Sequence, residues 1–301
     1  MKEIKKRSIE RMGIMNILLL IVLALYTLSL ILLITWGLFT ALKTRGDFYS
    51  NKLLWPSGKI WDWGWSNFSF VWQNFAIETT DDIGRRIRID IYGQFVNTIL
   101  YAVGSALVTT ACCCVMAYLV AKFDYALSKV IYTLVLVVMV IPIIGSAPSM
   151  LKFLKTTNLY DTWLGNYLMK FTFLGLYFLI FHGTFAGISP EYSEAATIDG
   201  ASEIQILVRI MIPLVATTFY TVFLIQFIGY WNDYNTALMY MPTHPTLAYG
   251  VYYMSVSNMN GLSSAPMRMT ASSILALPLL IVFIAFRDKI MGNVTMGGVK
   301  E

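Results

Sequence analysis

Apolar residues in this chain gather into six long runs, Ile14 to Ala41, Ile91 to Ala121, Val130 to Pro148, Phe171 to Ile188, Pro213 to Met239 and Met269 to Phe286. A helix needs about 20 apolar residues to cross roughly 30 Å of hydrocarbon, so the pattern predicts six transmembrane helices and an all-α integral membrane protein. Residues 42–90 are polar and aromatic, hold Pro56 and several glycines, and read as a large loop. Prolines 142, 148, 213 and 278 fall inside or at the edge of three runs. In a bilayer such breaks persist where neighbouring helices or cavity water satisfy the freed carbonyls. Helices kinked around a pathway and ordinary packing kinks both fit.

Composition narrows the class. With 57% hydrophobic and 13% charged residues in 301, and a mean hydropathy of +0.64, the chain carries more apolar side chain than one soluble core buries. A soluble enzyme domain and a disordered chain are excluded. The net charge of +5 has no basic run beyond the first eleven residues, which argues against a nucleic-acid partner. The first run exceeds the roughly 7–15 apolar residues of a signal peptide and ends in Leu42-Lys43-Thr44-Arg45, so it is expected to stay as a span. Basic residues divide evenly between the two sides. The dense cluster Lys2, Lys5, Lys6, Arg7 and Arg11 beside the first span then sets the orientation. Both termini are expected in the cytoplasm and residues 42–90 outside.

Candidate chemistry is sparse. No Asp, Glu, Lys or Arg falls in the middle of a run, which disfavours an ion-coupled carrier. There is no phosphate-binding loop, H-E-x-x-H pair or G-x-S-x-G turn, and His182 and His244 lie far apart. Cys112, Cys113 and Cys114 are consecutive and point to different sides of a helix. They read as small buried residues, with a lipidated or redox cysteine as the alternative. No catalytic residue, metal site or cofactor of its own is expected.

The segment 189–213 is the most informative. Ser189 and Pro190 open a short helix, Glu191 and Glu194 favour its dipole, and Asp199-Gly200 stops it. Ser202 and Gln205 form a capping box for a second helix, with Ile204, Leu207, Val208 and Met211 expected along one face. A docking knob for another protein and an amphipathic hairpin on the membrane surface are both compatible with this pattern.

Glu194-Ala195-Ala196, Asp199-Gly200-Ala201, Ile210 and Pro213 resemble, in register, the EAA signature of permease subunits in binding-protein-dependent ABC importers. Trp231-Asn232-Asp233 and the tail Gly297-Gly298-Val299-Lys300 are similar to stretches of the smaller permease of maltose-type carbohydrate importers. Thr217 and Gly298 depart from the usual proline and alanine. The resemblance implies the type I importer permease fold, in the cell membrane, as half of a heterodimeric pore with a second permease subunit. It implies that Glu194, Ala195, Ala196, Asp199 and Gly200 dock a cytoplasmic ABC ATPase dimer, which binds the ATP and Mg, and that a solute-binding protein outside delivers a carbohydrate. A peptide or amino acid is the alternative solute. The chain then divides into residues 1–90, a transporter core at 91–290 and a tail at 291–301.

Gln226, Tyr230, Trp231, Asn232 and Asp233 on the fifth run offer hydrogen bonds to a polyhydroxylated solute. Trp55, Trp61, Trp63, Trp65 and Trp72 crowd the 42–90 segment, as a docking surface or as an aromatic belt beside lipid. Gly183 and Gly187 have the spacing of close helix packing.

Overall fold

The structure, a computed structural model, describes residues 13–81, 83–141, 145–257 and 261–294, with side chains as far as Phe286. The basic cluster Lys2 to Arg11, Pro142 and the tail Gly297 to Lys300 lie outside the described residues. The chain forms two compact units, residues 1–74 with 254–274, and residues 75–253 with 275–301.

In the first unit, α1 (Ile14–Ala41) leaves every side chain from Ile14 to Ile34 exposed, as suits a helix surrounded by lipid. Its C-terminal end is fixed by polar contacts. The Asn67 amide donates to the Ala41 and Lys43 carbonyls at 2.8 Å each, Thr270 Oγ1 donates to Ala41 O, and Lys43 Nζ donates to Asn51 O. The segment read as a loop is therefore folded. Thr44 caps α2 (Arg45–Ser50), the Asp47 carboxylate accepts from the Ser57 amide and hydroxyl, and α3 (Ser66–Asn74) supplies Asn67. Single side-chain bonds hold this region, which is why hydropathy does not reveal it.

The second unit opens with an antiparallel hairpin, β1 (Ala76–Thr80) and β2 (Arg86–Asp90), with Glu78 opposite Arg88. Asp90 then caps α4 (Ile91–Lys122) by accepting from Gly93 N at 2.9 Å. After α4 come α5 (Ala126–Val140), α6 (Ser146–Thr156), α7 (Trp163–Lys170), α8 (Leu176–Ala186) and α9 (Glu191–Ile198). Next are α10 (Glu203–Ile206), a π turn (Leu207–Met211), α11 (Ile212–Leu214), α12 (Ala216–Trp231) and α13 (Asn235–Tyr240). Finally α14 (Leu247–Val256) and α15 (Ala265–Val294) each pass from one unit into the other. α4 is the hub, packed on both α8 and α12, with Tyr118, Phe178, Phe181, Phe185 and Val222 among the core residues.

The six apolar runs all carry helices, but not six uniform ones. α1, α4 and α15 are each long and apolar enough to cross a bilayer, and Glu203–Leu214 with Ala216–Trp231 makes a fourth crossing only as a pair bent by 76°. The other two runs hold the shorter apolar helices α5, of 15 residues, and α8, of 11. α5 stops because Ile141, ahead of a proline, takes extended backbone. The bend before α12 follows Pro213, which cannot donate and crowds the carbonyl four residues back, and the π turn beside it makes room.

Candidate functional site

The α9–α10 hairpin is built by local bonds. Ser189 Oγ accepts from Glu191 N at 3.4 Å, and Gly200 ends α9 at φ +84°, a left-handed conformation that glycine adopts without strain. The capping box is formed, with Ser202 N donating to Gln205 Oε1 at 2.9 Å and Gln205 N to Ser202 Oγ at 3.4 Å. The buried face agrees with expectation at Met211 and differs elsewhere. Ile206, Met211 and Val215 point into the core while Ile204 and Val208 are exposed, because the π turn widens the repeat from three or four residues to five. Ala196 joins the core cluster with Tyr118 and Phe185, where a larger side chain would hold the helix off. Lys122 Nζ donates to Ile188 O at 2.6 Å and ties the start of the hairpin to the end of α4. Glu194, Ala195, Asp199 and Gly200 remain exposed, beside Ile198 at 86% and Ile204 at 74% exposure.

A second feature runs inside the unit. Gln94, Thr98, Tyr101, Ser105 and Thr109 stand three or four residues apart on α4 and are all buried, forming one polar stripe. From Thr98 to Thr109 they tie broken elements to α4. Thr98 Oγ1 accepts from Leu247 N at the start of α14 (2.8 Å), and Ser105 Oγ accepts from Asn166 Nδ2 on α7 (3.2 Å). Thr109 Oγ1 donates to the carbonyl of Lys170, the last residue of α7, and meets the Tyr230 hydroxyl on α12 at 2.9 Å. Cys113 Sγ lies 3.6 Å from Thr172 O, within the break between α7 and α8. The Tyr101 hydroxyl donates to Asp233 Oδ2 at 2.5 Å. Asp233 also accepts from Thr236 Oγ1 at 2.6 Å and from the amides of Asn235 and Thr236, thereby capping α13. Lys170 Nζ donates to Thr236 Oγ1 at 3.2 Å and sits 3.8 Å from Asp233.

The profile of the binding-protein-dependent transport system inner membrane component family matches residues 113–293. The chain belongs to this family. Among curated relatives of this permease, the melibiose/raffinose/stachyose import permease protein MelC of Bacillus subtilis is 26% identical over 97% of this chain and 98% of its own length. The diacetylchitobiose uptake system permease protein NgcG of Streptomyces coelicolor is 22% identical over 91% and 86%. A chain from the crystal structure of a bacterial ABC transporter involved in the import of the acidic polysaccharide alginate superposes with a TM-score of 0.73. It is 19% identical and covers 91% of this chain and 96% of that one, a likeness of fold.

The permease brings together only part of the residue set singled out on its fifth run. Tyr230 and Asp233 join the polar stripe. Trp231 turns away into an apolar cluster with Phe227 and donates to Leu275 O at 3.0 Å, Asn232 is exposed on Ile228 O, and Gln226 is half-buried on α12. No ionisable residue is expected in the middle of a run; Lys170, just ahead of the fourth run, and Asp233, near the end of the fifth, lie at run edges and pair inside the unit, both side chains being about one-fifth exposed. Tyr101, Ser105, Thr109 and Thr236 escaped notice, although polar residues at three-to-four spacing inside an apolar run are a readable signal. His182 stacks among Tyr132 and Phe178, and His244 Nδ1 faces Asp161 at 3.2 Å. The three cysteines are buried and unbridged. Trp55, Trp61, Trp65 and Trp72 are exposed, whereas Trp63 packs edge-on against Phe39.

Proposed function

We propose that this chain is one of two permease subunits of an ATP-driven importer, forming half of the pathway for a carbohydrate of oligosaccharide size. The observation that carries the solute class is the end-to-end match to permeases named for melibiose, raffinose and stachyose, with a second near-full-length match to one named for diacetylchitobiose. Neither of these relatives supports a peptide or amino acid as the solute. A second permease completes the pore, a solute-binding protein delivers the sugar from outside, and a cytoplasmic ATPase dimer supplies ATP, Mg and the power stroke. Both termini lie in the cytoplasm.

The α9 hairpin docks the ATPase. Exposed Ile198 and Ile204 give it apolar contact, and Glu194 and Asp199 give it charge for basic groups on the partner. Ala196 in the core and the Lys122–Ile188 bond fasten it to α4 and α8, so a displacement of the hairpin moves those helices with it. The test is reconstitution with the cognate ATPase, second permease and binding protein. ATP-dependent uptake of labelled raffinose or melibiose is expected, and uptake confined to peptides or amino acids overturns the carbohydrate reading.

A further inference from the structure

The polar stripe leaves its two charged members unequally satisfied. Asp233 is saturated, since Oδ1 takes two amides and Oδ2 takes two hydroxyls. Lys170 carries three protons, and among the described residues Thr236 Oγ1 is its one hydrogen-bond acceptor, with the carboxylate at 3.8 Å beyond that range. The ammonium lies beside a T-shaped pair of aromatic rings, 4.9 Å from the centre of Tyr230 and 5.7 Å from that of Tyr101. One turn earlier on the same face of α7, Asn166 is 1% exposed, and its Oδ1 is buried without a partner.

Depth makes this unusual. The Lys170 carbonyl is held by Thr109, which stands 18 residues beyond the first residue of the 32-residue α4. At 1.5 Å per residue that is about 27 Å along a helix of about 48 Å. The chain is non-helical from Phe171 to Gly175 at this level, and α12 gives way to α13 at Asp233. Irregular backbone at membrane depth is tolerated where it is buried in protein or lines a water-filled cavity, and charged groups there mark pathways. A cation with unused protons needs an acceptor, and lipid chains offer none.

We propose that Lys170 is a solute-contacting, specificity-determining residue, its ammonium donating to hydroxyl or ring oxygens of the passing sugar while Asp233 and Thr236 hold it beside the two tyrosine rings. This rests on the carbohydrate-import reading. The test uses the assembled transporter in proteoliposomes with two readouts. In the first, Lys170→Cys is exposed to a water-soluble, membrane-impermeant methanethiosulfonate from either face. Labelling during ATP-driven cycling is expected, and no labelling in any state overturns the proposal whatever the solute is. In the second, uptake of melibiose and raffinose is compared in wild type, Lys170→Met and Lys170→Arg. Methionine is expected to lower uptake at least tenfold while ATP hydrolysis stimulated by loaded binding protein stays within twofold, and arginine is expected to restore most of the uptake. Unchanged uptake in Lys170→Met overturns the proposal. A wild type that imports neither sugar nor any other carbohydrate refutes the carbohydrate reading instead, and labelling at position 170 then still decides whether it faces the pathway.

Discussion

The α9–α10 hairpin and the α4 polar stripe are both polar features of one compact unit, yet they are satisfied in opposite ways. In the hairpin, capping bonds span two to five residues, and the acidic groups face outward with exposed isoleucines beside them. In the stripe, Tyr101 reaches Asp233 across 132 residues and Thr98 reaches Leu247 across 149, and almost every group is met by another protein group. A local, exposed element tolerates loss of one contact because water replaces it. A buried network does not, since the group left behind pays full desolvation. The stripe should therefore govern stability, and the hairpin should govern coupling to a partner.

The largest effect separating the two is expected from Asp233→Ala. It removes the α13 cap, the acceptor for Tyr101 and the countercharge of Lys170 together. Breaking a buried pair at one partner costs about 3–5 kcal/mol, and with both side chains about one-fifth exposed the lower end applies. Thermal unfolding in detergent should show a drop of many degrees, with Asp233→Asn intermediate. An Asp233→Ala protein as stable as wild type would show that the stripe is not the frame holding α7, α12 and α13 on α4.

The same contrast explains what the sequence discloses. The caps at Ser189 and Ser202 and the glycine stop at 200 are legible because their donors and acceptors are neighbours in the chain. The face of α10 is legible only in part: Met211 is buried as its spacing predicts, but beside the π turn burial falls on Ile206 and Val215 rather than on Ile204 and Val208. α5 and α8 are shorter than their apolar runs because Ile141 and the 171–175 break leave the helical conformation, and hydropathy does not register backbone conformation. Lys170 sits at the edge of a run and looks like an ordinary span end, until Thr109, 61 residues away, places it beside the middle of α4.

In the hairpin, Gly200→Val should cost more function than Glu194→Ala. A Cβ at 200 meets nothing within 4 Å, so the penalty is conformational rather than steric crowding. Left-handed backbone costs an L-residue roughly 1–2 kcal/mol, more for a β-branched one. The valine variant should relieve this by reshaping the turn, with uptake and ATPase co-purification falling severalfold at normal expression and near-normal thermal stability. Gly200→Asn, which tolerates the same φ, should be close to wild type. Equal losses for valine and asparagine would place the requirement in close approach of a partner rather than in the turn itself.

The smallest effect is expected at the β1–β2 turn, which is local like α9 and lies at the far end of the hairpin from the buried Ala76 and Ile77. Asp81 Oδ1 accepts from the amides of Arg85 at 2.7 Å and Ile83 at 3.1 Å, and Oδ2 meets Arg85 Nε at 2.9 Å. The Arg85 amide foremost, with the Arg85 guanidinium and the Ile83 amide, holds the carboxyl below its ordinary value of 3.8. A depressed folded value means the turn is favoured while the carboxylate is charged. That contribution is complete above the unfolded value and is lost as pH falls from there through the folded value. Amide protection at the β1–β2 turn should thus be flat from pH 5 to neutrality and decline only in acid, and Asp81→Asn should abolish the decline by starting from the weakened state. Because the turn is surface-exposed and screened, neutral-pH uptake by the variant should match wild type. If uptake fell with Asp81→Asn as it does with Gly200→Val, the hairpin would be acting on a partner, and local satisfaction alone would no longer separate the two kinds of region.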